Sequence, residues 1–317
     1  MIFSIIIPNF NSRSLLKENL PKIIHEVEKN YKKTCEIIIV DDCSTDGSME
    51  IIQNMQDEIK NKNIKSKIIQ NKKNLGFASS VNKGVLAASG DLILLLNSDI
   101  SPESGFLPPF LRHFSDPGVF AVGCLQKCQE EGKLVLRGRG TGRFQTGFLV
   151  HRKGDADKKD TLWVSGGAGM FRKKIWTELG GLNELYNPFY WEDIDLSYRA
   201  LKAGYKLLFE PDSVVNHEQS RGSVRSIYSA HQIATIAYRN QIIFVWLNIT
   251  DILYLFQHIL FLLYYLLKEI VKMNFGSAFC QGLLMALKKL PLVFPYRQSY
   301  QKLAKISDRE LLAVFAK

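Results

Sequence analysis

The chain has 317 residues, enough for one large domain or two of ordinary size. Apolar residues make up 46% and charged residues 23%, which excludes wholesale disorder, collagen and low-complexity arrays. Lys plus Arg is 41 against 31 Asp plus Glu, a net charge of +10 that suits an anionic partner: nucleic acid, acidic lipid or a phosphorylated small molecule. Five cysteines at 35, 43, 124, 128 and 280 are odd in number and irregularly spaced. They read as reduced core thiols of a cytosolic protein rather than a disulfide framework. Cys124 and Cys128 are the only close pair, and no second Cys/His pair completes a zinc site. The chain opens on a strand-like run without the basic, apolar and small-residue segments of a signal peptide, which argues against export.

Short apolar runs alternate with helical spacing over the first hundred residues. Ile2–Ile7 reads as a buried strand, ended by Pro8 and Asn9. Residues 14–30 follow as a helix with Leu15, Leu16, Leu20, Ile23, Ile24 and Val27 on one face. Glu36–Val40 is a second strand, 47–59 a helix capped by Asp46 or Ser44, and 67–70 a third strand. Residues 77–88 form a helix and 91–96 a fourth strand. Continuous apolar strands between helices predict an α/β fold with a parallel sheet covered on both faces. Such sheets bind ligands beyond the carboxyl ends of their strands. There the sequence places Pro8-Asn9-Phe10-Asn11, Asp41-Asp42 and Asn97-Ser98-Asp99, three polar strand ends converging on one crevice.

Beyond residue 100 the pattern weakens. A strand is predicted over 119–125. Residues 132–148, rich in Gly and Arg, suit a mobile basic surface loop or hairpin, with a phosphate or acceptor role open for Arg137, Arg139 and Arg143. From Leu162 the order is strand, small-residue segment, helix. Gly166, Gly167 and Gly169 permit close backbone approach or unusual dihedrals, but neither a P-loop nor a dinucleotide fingerprint is present. Gly180-Gly181 ends a helix. Glu192, Asp193 and Asp195 then fall at the start of a helix over 194–203, where the dipole favours negative charge. A strand over 205–209 and Val214–His217 precede a Ser/Arg/Gly loop at 218–226.

Residues 242–267 contain 21 apolar residues out of 26. Read as one helix, they put Asn248, Asp251, His258 and Glu269 on a narrow polar stripe. Such a helix lies in a membrane interface, packs in a dimer or folds onto the rest of the chain. A second apolar run, 275–287, ends in Lys288-Lys289. From 268 onward nine Lys or Arg face three Asp or Glu, which favours an anionic membrane surface over nucleic acid.

Seven segments now resemble the family 2 glycosyltransferases, inverting enzymes of the GT-A fold: FSIIIPNFN (3–11), EIIIVDDCSTDGS (36–48), NLGFASSVNKG (74–84), DLILLLNSD (91–99), GGAGMFRKKIWTELGGLNE (166–184), FYWEDIDLSYRALKAGY (189–205) and NH (216–217). They cover residues 2–220 in the family's order. The variant with NSD, ED-x-D and an apolar tail is similar to the rhamnosyltransferase-like branch that builds bacterial cell-surface polysaccharide. The resemblance implies a nucleotide-diphosphosugar transferase with a doubly wound, mostly parallel sheet at 1–225, divided into a nucleotide half (1–100) and an acceptor half (101–225). A hydrophobic, basic helical region follows at 226–317, membrane-associated or oligomerising, in a cytoplasmic protein peripheral to the cell membrane.

By the same resemblance Pro8 and Asp42 contact the nucleotide base and Asp41 shapes its pocket. Asn74, Gly76, Asn82 and Ser98 line the nucleotide side. Asp99 ends the DXD motif and, with His217, holds a divalent cation, Mg²⁺ or Mn²⁺. Here that motif carries a single carboxylate. Asp193 is the catalytic base, Glu192 its neighbour and Trp191 a shaper of the acceptor pocket. The chemistry suits these residue types: a departing diphosphate needs a hard cation with oxygen ligands, and an attacking hydroxyl needs a positioned carboxylate, typically contributing about 10²–10⁴-fold. Two other classes remain open from the residues: a sugar nucleotidyltransferase and a non-catalytic membrane scaffold. The donor sugar, the nucleotide and the acceptor glycan, expected to be lipid-linked, are not named by the sequence.

Overall fold

The computed structural model describes residues 2–60, 62–130, 132–218 and 221–316. Strand β1 (Phe3–Asn9), helix α1 (Arg13–Asn30), β2 (Cys35–Asp41), α2 (Ser48–Ile59), β3 (Ile64–Gln70), α3 (Phe77–Ala87) and β4 (Leu92–Leu96) follow in the predicted order. The strands lie as β3-β2-β1-β4, all parallel. Ile6 stands opposite both Ile38 and Leu95, so the middle of the sheet is apolar on each side. Helix α3 crosses β1 closely: a Cβ on Gly84 would come within 2.5 Å of the Ile6 side chain. Strand order reverses between β1 and β4, and this switch point opens the crevice at their carboxyl ends.

The second half is mixed. It comprises β5 (Ile100–Pro102), α4 (Leu107–His113), β6 (Val119–Glu130), β7 (Lys133–Arg137), β8 (Gly140–Gln145), β9 (Phe148–Lys153), β10 (Ala168–Arg172), α5 (Lys173–Glu178), a 3-10 turn (Glu184–Tyr186), α6 (Glu192–Lys202) and β11 (Lys206–His217). The sheet continues β4-β10-β6-β11-β5, with β10 antiparallel to both neighbours and β11 parallel to β6. The parallel character is thus confined to the first half and the β6–β11 pair. Helices α1, α2 and α4 cover one face over Leu16, Leu20, Ile24, Leu94 and Phe110, while α3, α5 and α6 cover the other over Val81, Val85, Ile93, Trp176 and Leu196. Cys35, Cys124 and Cys128 are buried thiols within these layers.

Three expectations are corrected. Of the loop or hairpin expected at 132–148, the hairpin is what forms, with strands over 133–137, 140–145 and 148–153, and Arg139 is not a solvated loop residue. Its guanidinium is buried, bonding the Asp160 carbonyl at 2.8 Å and its carboxylate at 3.1 Å. The strand expected from Leu162 begins only at Ala168, because 164–167 turn around the small-residue segment. The apolar run 242–267 is not one helix. Helix α8 (Ala230–Asn248) ends at Asn248, and α9 (Ile252–Val271) starts after Asp251, whose side chain accepts the Leu253 and Tyr254 amides at 2.9 and 3.1 Å. An N-cap at that position starts a new helix rather than continuing the old, and the polar stripe dissolves. Asn248 turns inward, Asp251 caps, and His258 is buried with Nδ1 donating to the Gly147 carbonyl at 2.6 Å.

Short α7 (Ser223–Ile227), long α10 (Ala278–Leu303) and α11 (Asp308–Phe315) complete the chain. A third apolar cluster joins Leu162, Trp191, Ile194 and Tyr198 to Ile242, Phe244, Leu247, Leu312 and Phe315. Buried polar contacts cross the same boundary. Lys202 Nζ donates to Asp308 at 2.9 Å and Tyr198 Oη to Asp308 at 2.8 Å, and Asp308 also accepts the Thr250 and Asp251 amides at 2.6 and 2.8 Å. The C-terminal helices therefore share a core with α6.

Candidate active site

A cavity of about 350 Å³ occupies the crevice, within the range of small-molecule sites. Strand ends β1, β2 and β4 contribute Pro8, Asn9, Asp42, Asn97, Ser98 and Asp99; Gly166 and Gly167, beside Asn97, and Phe189, Tyr190, Glu192 and Asp193 line it as well. Asn74, Gly76, His217 and Tyr228 also line it. Thus Pro8, Asp42, Asn74, Gly76, Ser98, Asp99, Glu192, Asp193 and His217, singled out from sequence, share one cavity.

Asp42 is buried and heavily engaged. Oδ1 accepts from Asn71 Nδ2 and the Leu75 amide, and Oδ2 from the Gly76 amide, each at 2.8 Å. The carboxylate holds the 71–76 loop against the cavity as well as facing it. Gly76 has φ 88°, and an added Cβ would lie 2.8 Å from Asn187 Oδ1, so only glycine fits. Asp41 lies beneath: its carboxylate accepts from Asn9 Nδ2 at 2.7 Å and the Ser44 amide at 3.0 Å, bracing β1 to the loop after β2. Asn71, absent from the sequence reading, and Ser44, read there only as a helix cap, complete this scaffold. Their only signal was their place just beyond strand ends.

Two expected liners lie elsewhere. Asn82 bonds Leu182 through both its amide atoms, at 2.8 and 3.0 Å, and ties α3 to the turn after α5. It does not line the cavity. The Trp191 ring is buried between His151 and Phe244, each 5.2 Å away between centroids. Aromatic walls come instead from Phe10, Phe77, Phe189, Tyr190 and Tyr228. A helix-face argument could not find this, because Tyr190 and Trp191 both take left-handed backbone, φ 70° and 77°. For non-glycine residues that costs of order 1–3 kcal/mol each and is held only by surrounding structure.

Asp99 Oδ2 lies 3.4 Å from His217 Nε2, and His217 Nδ1 lies 2.9 Å from Gln126 Oε1. Burial alone would disfavour the charged imidazole, but the hydrogen bond to Asp99 and its charge outweigh that and lift His217 to about 9. In the same cavity, Asp193 Oδ1 accepts the Ile194 amide at 2.8 Å and Oδ2 the Gly166 amide at 3.3 Å. Burial nevertheless raises its carboxyl above the usual range. Burial, and then the charge of Asp193, push Glu192 well above that range. Asp195 faces away. It pairs with Arg199 at 2.7 Å and accepts from Tyr186 Oη and Asn248 Nδ2 at 3.0 and 2.7 Å.

Seven buried side-chain polar atoms lack a partner among the described residues, and four belong to this cavity's walls: Asn9 Oδ1, Asn97 Oδ1, Asp99 Oδ1 and Glu192 Oε2. An unmet buried polar group costs about 1–3 kcal/mol. Their concentration here marks a surface prepared for a polar ligand. Asp99 Oδ1 and His217 offer one oxygen and one imidazole to a cation. That donor pair would suit a divalent ion only if its remaining ligands came from a bound substrate and water.

The fold and cleft define a GT-A transferase. Among solved structures the chain is similar to GalNAc-T7 with UDP, GalNAc and Mn²⁺ (TM-score 0.62, 18% identity, 78% of this chain and 48% of that one). It is also similar to the mannosyltransferase PcManGT from Pyrobaculum calidifontis with GDP-Man and Mn²⁺ (TM-score 0.56, 17% identity, 99% and 85%). The profile of Glycosyl transferase family 2 matches residues 4–180, and the chain belongs to that family. A pre-mycofactocin glycosyltransferase of Mycobacterium tuberculosis is 30% identical over 144 residues, 45% of this chain but only 30% of that protein. The O-antigen chain rhamnosyltransferase RfbN of Salmonella typhimurium is 24% identical over 225 residues, 69% of this chain and 67% of its own length.

Proposed function

We propose that this protein is an inverting glycosyltransferase that moves a sugar from a nucleotide-diphosphosugar to a hydroxyl of a glycan acceptor during assembly of bacterial cell-surface polysaccharide. One observation carries the reading. Asp99 with His217, and Asp193 with Glu192, line a single cavity whose walls carry unmet buried polar atoms. Family membership and the likeness to RfbN support the reaction class and the polysaccharide context.

In this reading Asp42, Asn74 and Gly76 bound the nucleotide side. Asp99 and His217 would hold the divalent cation, which when bound neutralises charge on the departing diphosphate. Asp193 accepts the proton of the acceptor hydroxyl as its oxygen bonds the anomeric carbon. The bond from that carbon to the diphosphate oxygen breaks on the opposite face, its electron pair leaving with the nucleoside diphosphate, so the anomeric centre inverts. Burial and its neighbour's charge raise the Glu192 carboxyl well above the usual range, which leaves Asp193 the more readily ionised member of the pair.

Peripheral membrane docking belongs to the same proposal. Two helices, α9 and α10, are long and apolar enough to cross a bilayer. One face of α9 packs inward, with Tyr254 stacked on Phe144 at 4.5 Å and His258 against Phe148 at 5.1 Å. The other exposes Leu253, Phe256, Leu260, Leu263 and Leu267, with no charged side chain from 252 to 267 and Lys268 and Lys272 just beyond. A helix packed on one face and apolar on the other lies in the interface plane, and its basic end favours anionic lipid. A lipid-linked acceptor would meet the enzyme there.

The test is a panel of UDP-, dTDP- and GDP-sugars screened for thermal stabilisation with Mn²⁺ or Mg²⁺, followed by transfer assays with the binder. Metal-dependent stabilisation and transfer with inversion are expected. Pyrophosphate release from a nucleoside triphosphate and a sugar phosphate, without glycosyl transfer, would overturn the proposal.

A further inference from the structure

Part of the cavity wall comes from the loop at residues 185–191, which is gripped from two sides. On the nucleotide side, the Pro188 carbonyl accepts the Phe77 amide at 3.1 Å, and the Asn187 side chain bonds the Ala78 amide and Ser79 Oγ at 3.2 and 2.8 Å. On the other side stands α8. Asn240 Nδ2 donates to the carbonyls of Tyr186, Phe189 and Tyr190 at 2.8, 2.9 and 2.8 Å. Arg239 Nη2 donates to the carbonyls of Tyr186 and Asn187 at 3.0 and 2.6 Å, and its Nε donates to Asn240 Oδ1 at 2.8 Å. That last contact settles the amide's orientation: with Oδ1 taken by the guanidinium, both N–H bonds of Asn240 point at the loop. Both side chains are buried.

The gripped loop sets the acceptor wall. Phe189 and Tyr190 line the cavity, Tyr190 and Trp191 are left-handed, and Glu192 and Asp193 follow at once. The carbonyls that Asn240 binds flank this conformation. We propose that Asn240, oriented by Arg239, is a positioning residue that holds the loop in its left-handed turn and thereby aims Asp193 into the cleft. The catalytic wall is then supported by a helix outside the segment that matches the family profile, which ends at residue 180. The kinetic consequence rests on the proposed glycosyl transfer. The structural part does not.

The experiment compares full-length wild type with Asn240→Leu, which removes the donors at similar volume, and with Arg239→Met and Arg239→Lys. Amide hydrogen exchange is read over 186–194 and, as an internal control, over 71–75, whose Asn71 and Leu75 amides are held by Asp41 and Asp42. UDP, dTDP and GDP are titrated with Mn²⁺, and transfer kinetics are measured with the donor the panel identifies. Asn240→Leu is expected to speed exchange over 186–194 by about tenfold or more while 71–75 is unchanged. It should lower kcat by about tenfold or more with nucleoside diphosphate affinity within about twofold. Arg239→Lys should retain more protection and activity than Arg239→Met. If Asn240→Leu does not fold, Arg239→Met carries the comparison, because it removes the orienting contact and leaves Asn240 in place. Unchanged exchange over 186–194, or a fall in nucleotide affinity in step with kcat, overturns the proposal. Altered exchange in a protein that transfers no sugar supports the positioning role and sinks the transferase reading instead.

Discussion

Asp195 Oδ1 accepts a 2.7 Å hydrogen bond from Asn248 Nδ2, so the last residue of α8 is bonded to the helix that begins with Glu192 and Asp193. Asp195 also holds Arg199, whose guanidinium lies 4.4 Å over the Tyr300 ring of α10 and donates to the Gly181 carbonyl at 2.8 Å. The back of α6 is therefore a polar joint with the C-terminal helices, while its first turn faces the cleft. The helix end that carries the acids is set from both sides.

Asp193→Asn is expected to lower transfer by about 10²-fold or more, the scale of general-base catalysis. Binding of UDP, dTDP or GDP should stay within about twofold, since only the proton acceptor is lost. Normal turnover by this variant would remove Asp193 from the mechanism.

In the proposed mechanism the raised Asp193 carboxyl would set the acid limb of activity. The base works when deprotonated, so kcat/KM should rise with pH through a midpoint above the ordinary aspartate value of 3.8. A pH profile of wild type checks this, and a midpoint at or below the ordinary value would contradict it.

Glu192 trades stability for function. Its carboxyl binds a proton more tightly in the folded than in the unfolded chain. The fold is therefore unpenalised below the ordinary value of 4.5 and loses stability as pH rises from there through the raised value. Glu192→Gln should raise Tm at neutral pH by about 1–2 °C, the shift that roughly 1 kcal/mol produces in a chain of 317 residues, and the gain should vanish in acid. A lower Tm at neutral pH would show that Glu192 is held by contacts that outweigh its burial.

Asp308 works in the opposite sense. Burial raises its carboxyl, but Lys202 and the Thr250 and Asp251 amides hold it below the ordinary value of 3.8. Its contribution is present above that value and lost as pH falls through the folded one. Asp308→Ala leaves Lys202 buried without its partner and should cost roughly 3–5 kcal/mol in urea unfolding. Adding Lys202→Met should recover part of that loss, and a loss below about 1 kcal/mol for the single variant would mean that the pair does not join the two regions.

For the cation, Asp99→Ala should abolish the difference between nucleotide titrations with and without Mn²⁺, and His217→Ala should weaken it. A persistent difference in Asp99→Ala would place the ion elsewhere. For the membrane, sedimentation with phosphatidylglycerol vesicles should exceed that with phosphatidylcholine. Lys268→Gln with Lys272→Gln should weaken it roughly tenfold or more, at about 1 kcal/mol for each charge near the surface. Equal binding to both lipids, or binding indifferent to Leu260→Glu with Leu263→Glu, would point to another use of that face.

The sequence by itself determined the first sheet and its crevice. Runs such as Ile5–Ile7, Ile37–Val40 and Leu92–Leu96 can only be buried strands, and Asn or Asp at their ends must gather where the strand order reverses. Asp42 and Asp99 were legible as polar residues at predicted strand ends, whereas Asp193 and His217 were singled out by the resemblance to family 2 motifs. Only the tertiary structure decided the rest. Asn82 turns to Leu182, the Trp191 ring is buried beside Phe244, and the greasy run divides at Thr250-Asp251 because Asp308 accepts both of their amides. These outcomes depend on partners some 50 to 100 residues away along the chain. No periodicity in a short window records which buried polar group a distant donor or acceptor will meet.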